Sequence, residues 1–380
     1  MTKLNINLLT MVKIQTKLPN EKKTKKTKKS KKGKPKKRIG LTIIVVLAIL
    51  FIFALAFGYW FYRMVMTPNV KTADGNDAVV FIHTGSDYEQ AKNALFEAGI
   101  IVNKKSFEWV AKKKEYPDHV KPGRYVIKDG TNNNRLVNML RGGMQSPVMV
   151  TFNNIRNIDQ LAGRISKQIE ADSASIASLL HNKEYIKGLG FNTYTIPALF
   201  IPNTYEFYWD TDAQEFVYRM QQEYDKFWND ERLAKAKKLD MTPTEVSTLA
   251  SIVCKESNKT DEMPRIAGVY LNRLKNGWLL QADPTLIFAL NDFSIKRVLN
   301  IHKEVESPYN TYKYAGLPPG PICIPSLVAI NSVLDAENHN YFYFCAKEDF
   351  SGYHNFAKTL AEHNRNAIKY QQALNKRGIK

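Results

Sequence analysis

The chain has 380 residues, a formal net charge of +19 and 24% charged side chains, enough length for one or two globular domains with extensions. Residues 1–38 hold fifteen Lys and Arg against one acid, Glu21, a local charge of +14, so the other 342 residues carry only +5. The basicity belongs to a tail and gives no ground for a nucleic-acid-binding face on the folded part.

The block "KKTKKTKKSKKGKPKKR" cannot bury apolar area to offset chain entropy, and residues 1–38 are expected to be disordered. Residues 39–62, "IGLTIIVVLAILFIFALAFGYWFY", contain no charge. As a helix they would span about 36 Å, enough for a hydrocarbon core of about 30 Å. Tyr59, Trp60 and Tyr62 cluster at the far end, where amphipathic rings favour a membrane interface. The positive-inside rule places residues 1–38 in the cytoplasm and the rest outside. Ala54-Leu55-Ala56 also fits a signal-peptide cleavage site, but the apolar run exceeds the roughly 7–15 residues of a signal core. An uncleaved anchor is the expectation.

Residues 63–76 read as a polar linker. A small α/β module follows at 77–152: a strand "AVVFIH", a helix through Tyr88 and Leu95, a short helix "SFEWVAKK", a turn and strand "KPGRYVI", a helix "NNRLVNMLRGG" and a strand "PVMVTF". Residues 153–380 read as mainly helical, interrupted by "IPALFIPNTYEFYW", with a late strand "NYFYFCA" and a closing helix. The fold class is α+β. Cys254, Cys323 and Cys345 are too few and too scattered for a disulfide framework or a CxxC metal site.

Thr242-Pro243-Thr244-Glu245 is a helix start with a cap, a proline at the first position and a capping box. Val246, Leu249, Ala250 and Val253 then recur at helical spacing, so this face packs inward. At 100° per residue Glu256 projects about 20° from Leu249, at the edge of the apolar stripe, and Cys254 about 160° from Glu256. A carboxyl bordering an apolar wall has its pKa raised by desolvation, as a general acid requires. A surface or capping glutamate is the competing reading. Cys254 reads as a small apolar helix residue, since no local signature supplies the histidine a catalytic thiolate needs. A second helix runs from Met263 to Lys275 and ends at Asn276-Gly277. "QADPT" reads as a turn presenting Gln281, Asp283 and Thr285. "SPYNTYKYAGLPPGPI" is a long loop rich in Tyr, Asn and Thr, side chains suited to sugar rings and their hydroxyl and acetamido groups.

The ordered blocks "ASIVCKES", "AGVYLNRL", "LQADPT", "SPYNTY" and "GLPPGPI", with "HNF" and "EHN" after them, resemble the endolytic murein transglycosylase family (MltG, YceG-like), over nearly the whole part beyond the apolar segment. The resemblance implies a LysM-like module at 77–152, a catalytic domain at 153–380 and a membrane-anchored lytic transglycosylase of peptidoglycan, without metal or cofactor. The family pattern A-S-[IL]-[IV]-E-K-E falls on Ala250 to Glu256, so Glu256 inherits the catalytic role, and Cys254 stands where the family has its first glutamate. Pro197-Ala198 departs from the family's Glu-Gly. Gln281, Asp283, Thr285, Tyr309, Asn310, Thr311 and Tyr312 are the candidate substrate contacts. His354, Asn355, Glu362 and Asn364 match motif positions that helix packing would also explain. The implied chemistry has Glu256 protonate the MurNAc–GlcNAc bond and then, as a base, take the proton of the MurNAc C6 hydroxyl, leaving a 1,6-anhydro end. The implied partners are glycan strands, the membrane and the cell-wall synthesis proteins, with no nucleic acid. A hydrolytic muramidase using Asp283 as second carboxylate and a non-catalytic peptidoglycan-binding protein are the alternatives.

Overall fold

The computed structural model describes residues 36–295 and 297–378. The disorder expected of residues 1–38 therefore falls almost wholly outside the described residues. The described residues divide into two compact units, with the boundary between Phe61 and Tyr62.

Helix α1, Lys36–Val65, carries the apolar run. Within Gly40–Val65 an 18-residue window has a mean hydropathy of 3.0 and is unburied, so by length and composition the segment can cross a membrane. It runs three residues past the expected end at 62, because nothing in Arg63-Met64-Val65 breaks a helix.

The unit 62–380 holds three successive cores. The first comprises β1 (Ala78–Ile82), α2 (Tyr88–Glu97), α3 (Lys104–Lys113), β2 (Gly123–Ile127) and α4 (Asn133–Arg141). β1 and β2 pair antiparallel, Ala78 opposite Ile127, and their inward Val80, Ile82, Tyr125 and Ile127 bury against Leu95, Phe107, Leu136 and Leu140. The expected linker 63–76 is partly built into this core. Val65 and Val70 are buried, and the Asn69 amide donates to Asn133 Oδ1 at 2.7 Å. A segment that looks polar on average still contributes its two valines and one fully bonded amide.

The second core joins β3 (Val148–Phe152), α5 (Ile158–Ile165), α6 (Ser173–His181), α7 (Lys183–Gly188), β4 (Asn203–Phe207) and α8 (Ala213–Phe227). β3 and β4 pair antiparallel, Val148 opposite Phe207. The third is helical: α9 (Asp230–Lys238), α10 (Pro243–Glu256), α11 (Met263–Lys275), α12 (Asp283–Leu290) and α13 (Leu327–Leu334). A hairpin of β5 (Tyr343–Ala346) and β6 (His354–Ala357) and the closing α14 (Leu360–Lys376) complete the chain. Strand β6 is not legible in the sequence, since four residues are too short for a two-residue alternation to register.

One short stretch ties the second and third cores together. Ile322 belongs to the third and Ile324 to the second. The Ile322 amide donates to Ser251 Oγ at 2.9 Å and the Ile324 amide to the Ile155 carbonyl at 2.9 Å.

Candidate active site

Helix α10 starts as its sequence dictates. Thr242 Oγ1 accepts from the Glu245 amide, the Glu245 carboxylate accepts from the Thr242 amide at 2.7 Å, and Pro243 opens the first turn. Val246, Leu249, Ala250, Ile252 and Val253 are fully buried, and so are Ser247, Thr248 and Ser251, whose small side chains let neighbours close around the helix. Glu256 is its last residue, half-buried, with Ser257 already extended.

Helix α11 supplies the partners of this carboxyl. Its Gly268 lies so close to the 337–339 segment that a Cβ there would meet the Glu337 carbonyl oxygen at 2.4 Å, which seats α11 deeply. Tyr270, buried on the same helix, donates its hydroxyl to Glu256 Oε1 at 2.5 Å. Arg273, one turn on and 8% exposed, donates Nε to the Phe342 carbonyl at 2.7 Å and Nη1 to the Leu280 carbonyl at 2.6 Å. Its donors hold backbone while its charge acts on Glu256.

The Glu256 pKa is pushed up to about 7. Burial is the main cause; the nearby Asp283 charge adds to it, and the Tyr270 hydrogen bond and the Arg273 cation pull against it. The site at a helix C-terminus, where unpaired carbonyls face an anion, acts in the same direction as burial. This is a protonatable acid poised near neutrality. Removing the hydroxyl in Tyr270→Phe takes away a hydrogen bond that favours the ionised form, so the Glu256 pKa rises further. The alkaline limb of kcat/KM against pH is expected to move up by about half to one unit; an unmoved limb would take Tyr270 out of the titration.

The predicted contact residues divide into two groups. Asp283 is the first residue of α12 rather than part of a turn, because Pro284 suits a first helical turn and "TLIFAL" continues it. Its exposed carboxylate accepts from Tyr312 at 2.5 Å. Gln281 is exposed with a positive φ of 49°, a conformation costly for a residue with a Cβ and characteristic of sites where the chain is held for use. The Tyr312 hydroxyl pKa is raised by burial and by its bond to Asp283. Asp283 and Tyr312 lie close enough to Glu256 to interact with it electrostatically.

Thr285, Tyr309, Asn310 and Thr311 are buried instead. Thr285 and Thr311 share a hydroxyl contact of 2.9 Å, and Thr311 Oγ1 accepts from the Ala282 amide at 3.0 Å. The Asn310 amide donates to the Lys303 and Val305 carbonyls, both at 2.8 Å. The Tyr309 ring packs on Phe288 with centroids 4.7 Å apart. This group shapes the loop that presents Tyr312.

Near the C-terminus, His354 Nδ1 meets Glu262 Oε2 at 2.7 Å. Asn355 Nδ2 donates to Glu348 at 2.9 Å, Glu362 accepts from the Lys358 amide at 3.0 Å, and Asn364 is exposed. These contacts brace the hairpin and the start of α14. Sequence reasoning missed Tyr270 and Arg273 as partners of the acid, and Glu262 as a second, 4% exposed carboxylate. The available signal was an arginine at i+3 and i+4 from buried Tyr270 and Val269, inside an apolar stripe. Two cavities of about 1010 and 1030 Å³ lie away from the acid, one lined by Glu170, Glu206, Asp210 and Glu215, the other by Thr242, Glu245 and Pro318. Neither includes Glu256, and depth alone does not mark this site.

A buried-edge carboxyl with a lifted pKa, bonded to one phenol and facing the charges of a buried arginine and of Asp283, marks the candidate active site of this α+β protein. The chain belongs to the YceG-like family, whose model matches residues 80–369. A Bacillus subtilis (strain 168) protein named endolytic murein transglycosylase is 27% identical over 336 residues, covering 84% of this chain and 92% of that one. A protein of the same name from Streptococcus pneumoniae serotype 2 is 28% identical over 348 residues; the match covers 82% of this chain and 62% of that relative. The crystal structure of a yceG-like protein from Listeria monocytogenes superposes with a TM-score of 0.52 at 26% identity, over 76% of this chain and 98% of that one.

Proposed function

We propose that this protein is a membrane-anchored endolytic lytic transglycosylase, cleaving the MurNAc–GlcNAc bond of peptidoglycan strands to leave 1,6-anhydro ends. The observation that carries this reading is Glu256, raised to about 7 by burial and bonded to Tyr270. Such a group is part protonated and part ionised at neutral pH, so one carboxyl can serve as acid and then as base. Family membership and the names of the Bacillus and Streptococcus relatives support it.

In this mechanism Glu256 protonates the glycosidic oxygen, with Tyr270 fixing Oε1. The substrate's 2-acetamido oxygen stabilises the oxocarbenium-like centre. The carboxylate then takes the proton of the MurNAc C6 hydroxyl as that oxygen closes on C1. The Arg273 charge steadies the carboxylate between the two proton transfers. Gln281, Asp283 and Tyr312 are the residues we assign to the sugar, with Thr285, Tyr309, Asn310 and Thr311 acting through the loop's shape. Residues 77–152 are assigned as a LysM-like module, with a core that runs from Val65 to Leu140 and leaves β3 to the second core, and 153–380 as the catalytic domain. Helix α1 would hold the enzyme at the bacterial cytoplasmic membrane with its N-terminus inside, close to newly made strands and their synthesis proteins.

Asp283, close enough to raise the Glu256 pKa, supports a second reading, hydrolysis with two carboxyls. Glycan strands digested with the protein and read by mass separate the two. Anhydro-terminated fragments are expected. Fragments heavier by one water and lacking anhydro ends would replace the lytic reading with the hydrolytic one, and intact strands would leave a binding protein.

A further inference from the structure

Cys254 and Cys323 stand 69 positions apart in sequence, yet their Sγ atoms lie 3.4 Å apart. The three cysteines form no framework, but packing brings two of them together. Cys254 sits in the last turn of α10 and is half-buried; Cys323 is 2% exposed, in the stretch that links the second and third cores. Both thiols lie against the same acceptor, the Ser251 carbonyl, at 3.3 and 3.6 Å. The residues flanking Cys323 are bonded by their amides on either side, to Ser251 Oγ and to Ile155. The two sulfurs are therefore held face to face by backbone contacts, and reaching disulfide length needs about 1.4 Å of approach.

We propose that Cys254 and Cys323 form a redox-active disulfide pair that fastens the catalytic helix α10 to the 322–324 strap. The direction of reaction follows from the two environments. The contact with Cys323 holds the Cys254 pKa below its ordinary value, while the same contact and burial push the Cys323 thiol well up. Cys254 is thus the attacking thiolate. It opens a small disulfide oxidant, releasing one thiol and forming a mixed disulfide. Cys323 then loses its proton and displaces the second thiol from the Cys254 sulfur. Two protein S–H groups become one S–S bond, two electrons pass to the oxidant, and the oxidant leaves as two thiols.

Cys254 projects about 160° from Glu256 around the helix, so the bond clamps the helix without entering the face of the acid. It also fixes the strap that follows the proline-rich loop carrying Tyr312. The proposal does not depend on glycan cleavage, and its readout is covalent.

The test uses the full chain, reduced or incubated with oxidised glutathione, then denatured, alkylated and mapped by mass. The chain has three free thiols, Cys254, Cys323 and Cys345. Reduced protein is expected to take three labels. Oxidised protein is expected to take one, on Cys345, to lose two hydrogens in mass, to yield a linked Cys254–Cys323 peptide and to melt several degrees higher, because the bond closes a long loop in the unfolded chain. Cys345→Ser should oxidise in the same way, while Cys323→Ser should stop at glutathione on Cys254 with no rise in Tm. Three labels persisting after oxidation, glutathione retained on wild-type Cys254, or a link through Cys345 would each overturn the proposal.

Discussion

Glu256→Gln is expected to lower kcat/KM on glycan strands by about 10²–10⁴-fold, the usual worth of a positioned general acid, while stabilising the fold above neutral pH. The carboxyl has an ordinary pKa of 4.5 and a folded value of about 7. Below pH 4.5 it is protonated whether the chain is folded or not. Between those values the folded chain holds a proton that the unfolded chain has released, so stability falls as pH rises through the folded pKa. Glutamine keeps an acceptor for Tyr270 and has no proton to lose. The variant should match wild type near pH 4 and exceed it by about 2 kcal/mol at pH 8, a figure reduced for the partial exposure of the group. Denaturant midpoints at the two pH values check this. Equal differences at both would mean the acid is not raised, and undiminished cleavage would take Glu256 out of the chemistry.

Arg273→Met should cost about 3 kcal/mol and shift the pH profile together. Methionine keeps much of the volume but leaves the Leu280 and Phe342 carbonyls without their donors, each an unsatisfied buried acceptor. It also removes the cation that favours ionised Glu256, so the carboxyl pKa rises above about 7. Urea midpoints read the first effect and the alkaline limb of kcat/KM the second. Arg273→Lys tests the division. It should restore the limb, because the charge returns, but not the midpoint, because an ammonium cannot fork to two carbonyls. A lysine variant as stable as wild type would show that the fork carries no load.

The acid was legible and its tuning was not. Helical periodicity put Glu256 at the rim of an apolar stripe, and the observed burial of Val246, Leu249, Ala250 and Val253 agrees with it. The start of α10 and the bounds of α11 were readable because capping boxes and Asn-Gly stops are local chemistry. The turn at "QADPT" was misjudged because the helix after Pro284 is apolar with almost no periodicity, a pattern that local reading does not separate from a loop. Strand β6 was too short to register. Asp283 and Tyr312 interact electrostatically with Glu256, but nothing local distinguishes the half-buried Tyr312 from the buried Tyr309 three residues earlier.

By itself, then, the sequence determined what is written within one helix or one run: a basic tail, a span-length apolar helix, α+β order, the apolar face of α10 and the carboxyl on its rim. Tertiary structure alone decided which partners meet. Tyr270 reaches Glu256 from a different helix, Arg273 holds two loops by their carbonyls, and Cys254 meets Cys323 across 69 positions. The physical reason is range. Capping and periodicity act over four or five residues, whereas desolvation, a buried cation and a thiol pair depend on what packing brings from elsewhere in the chain.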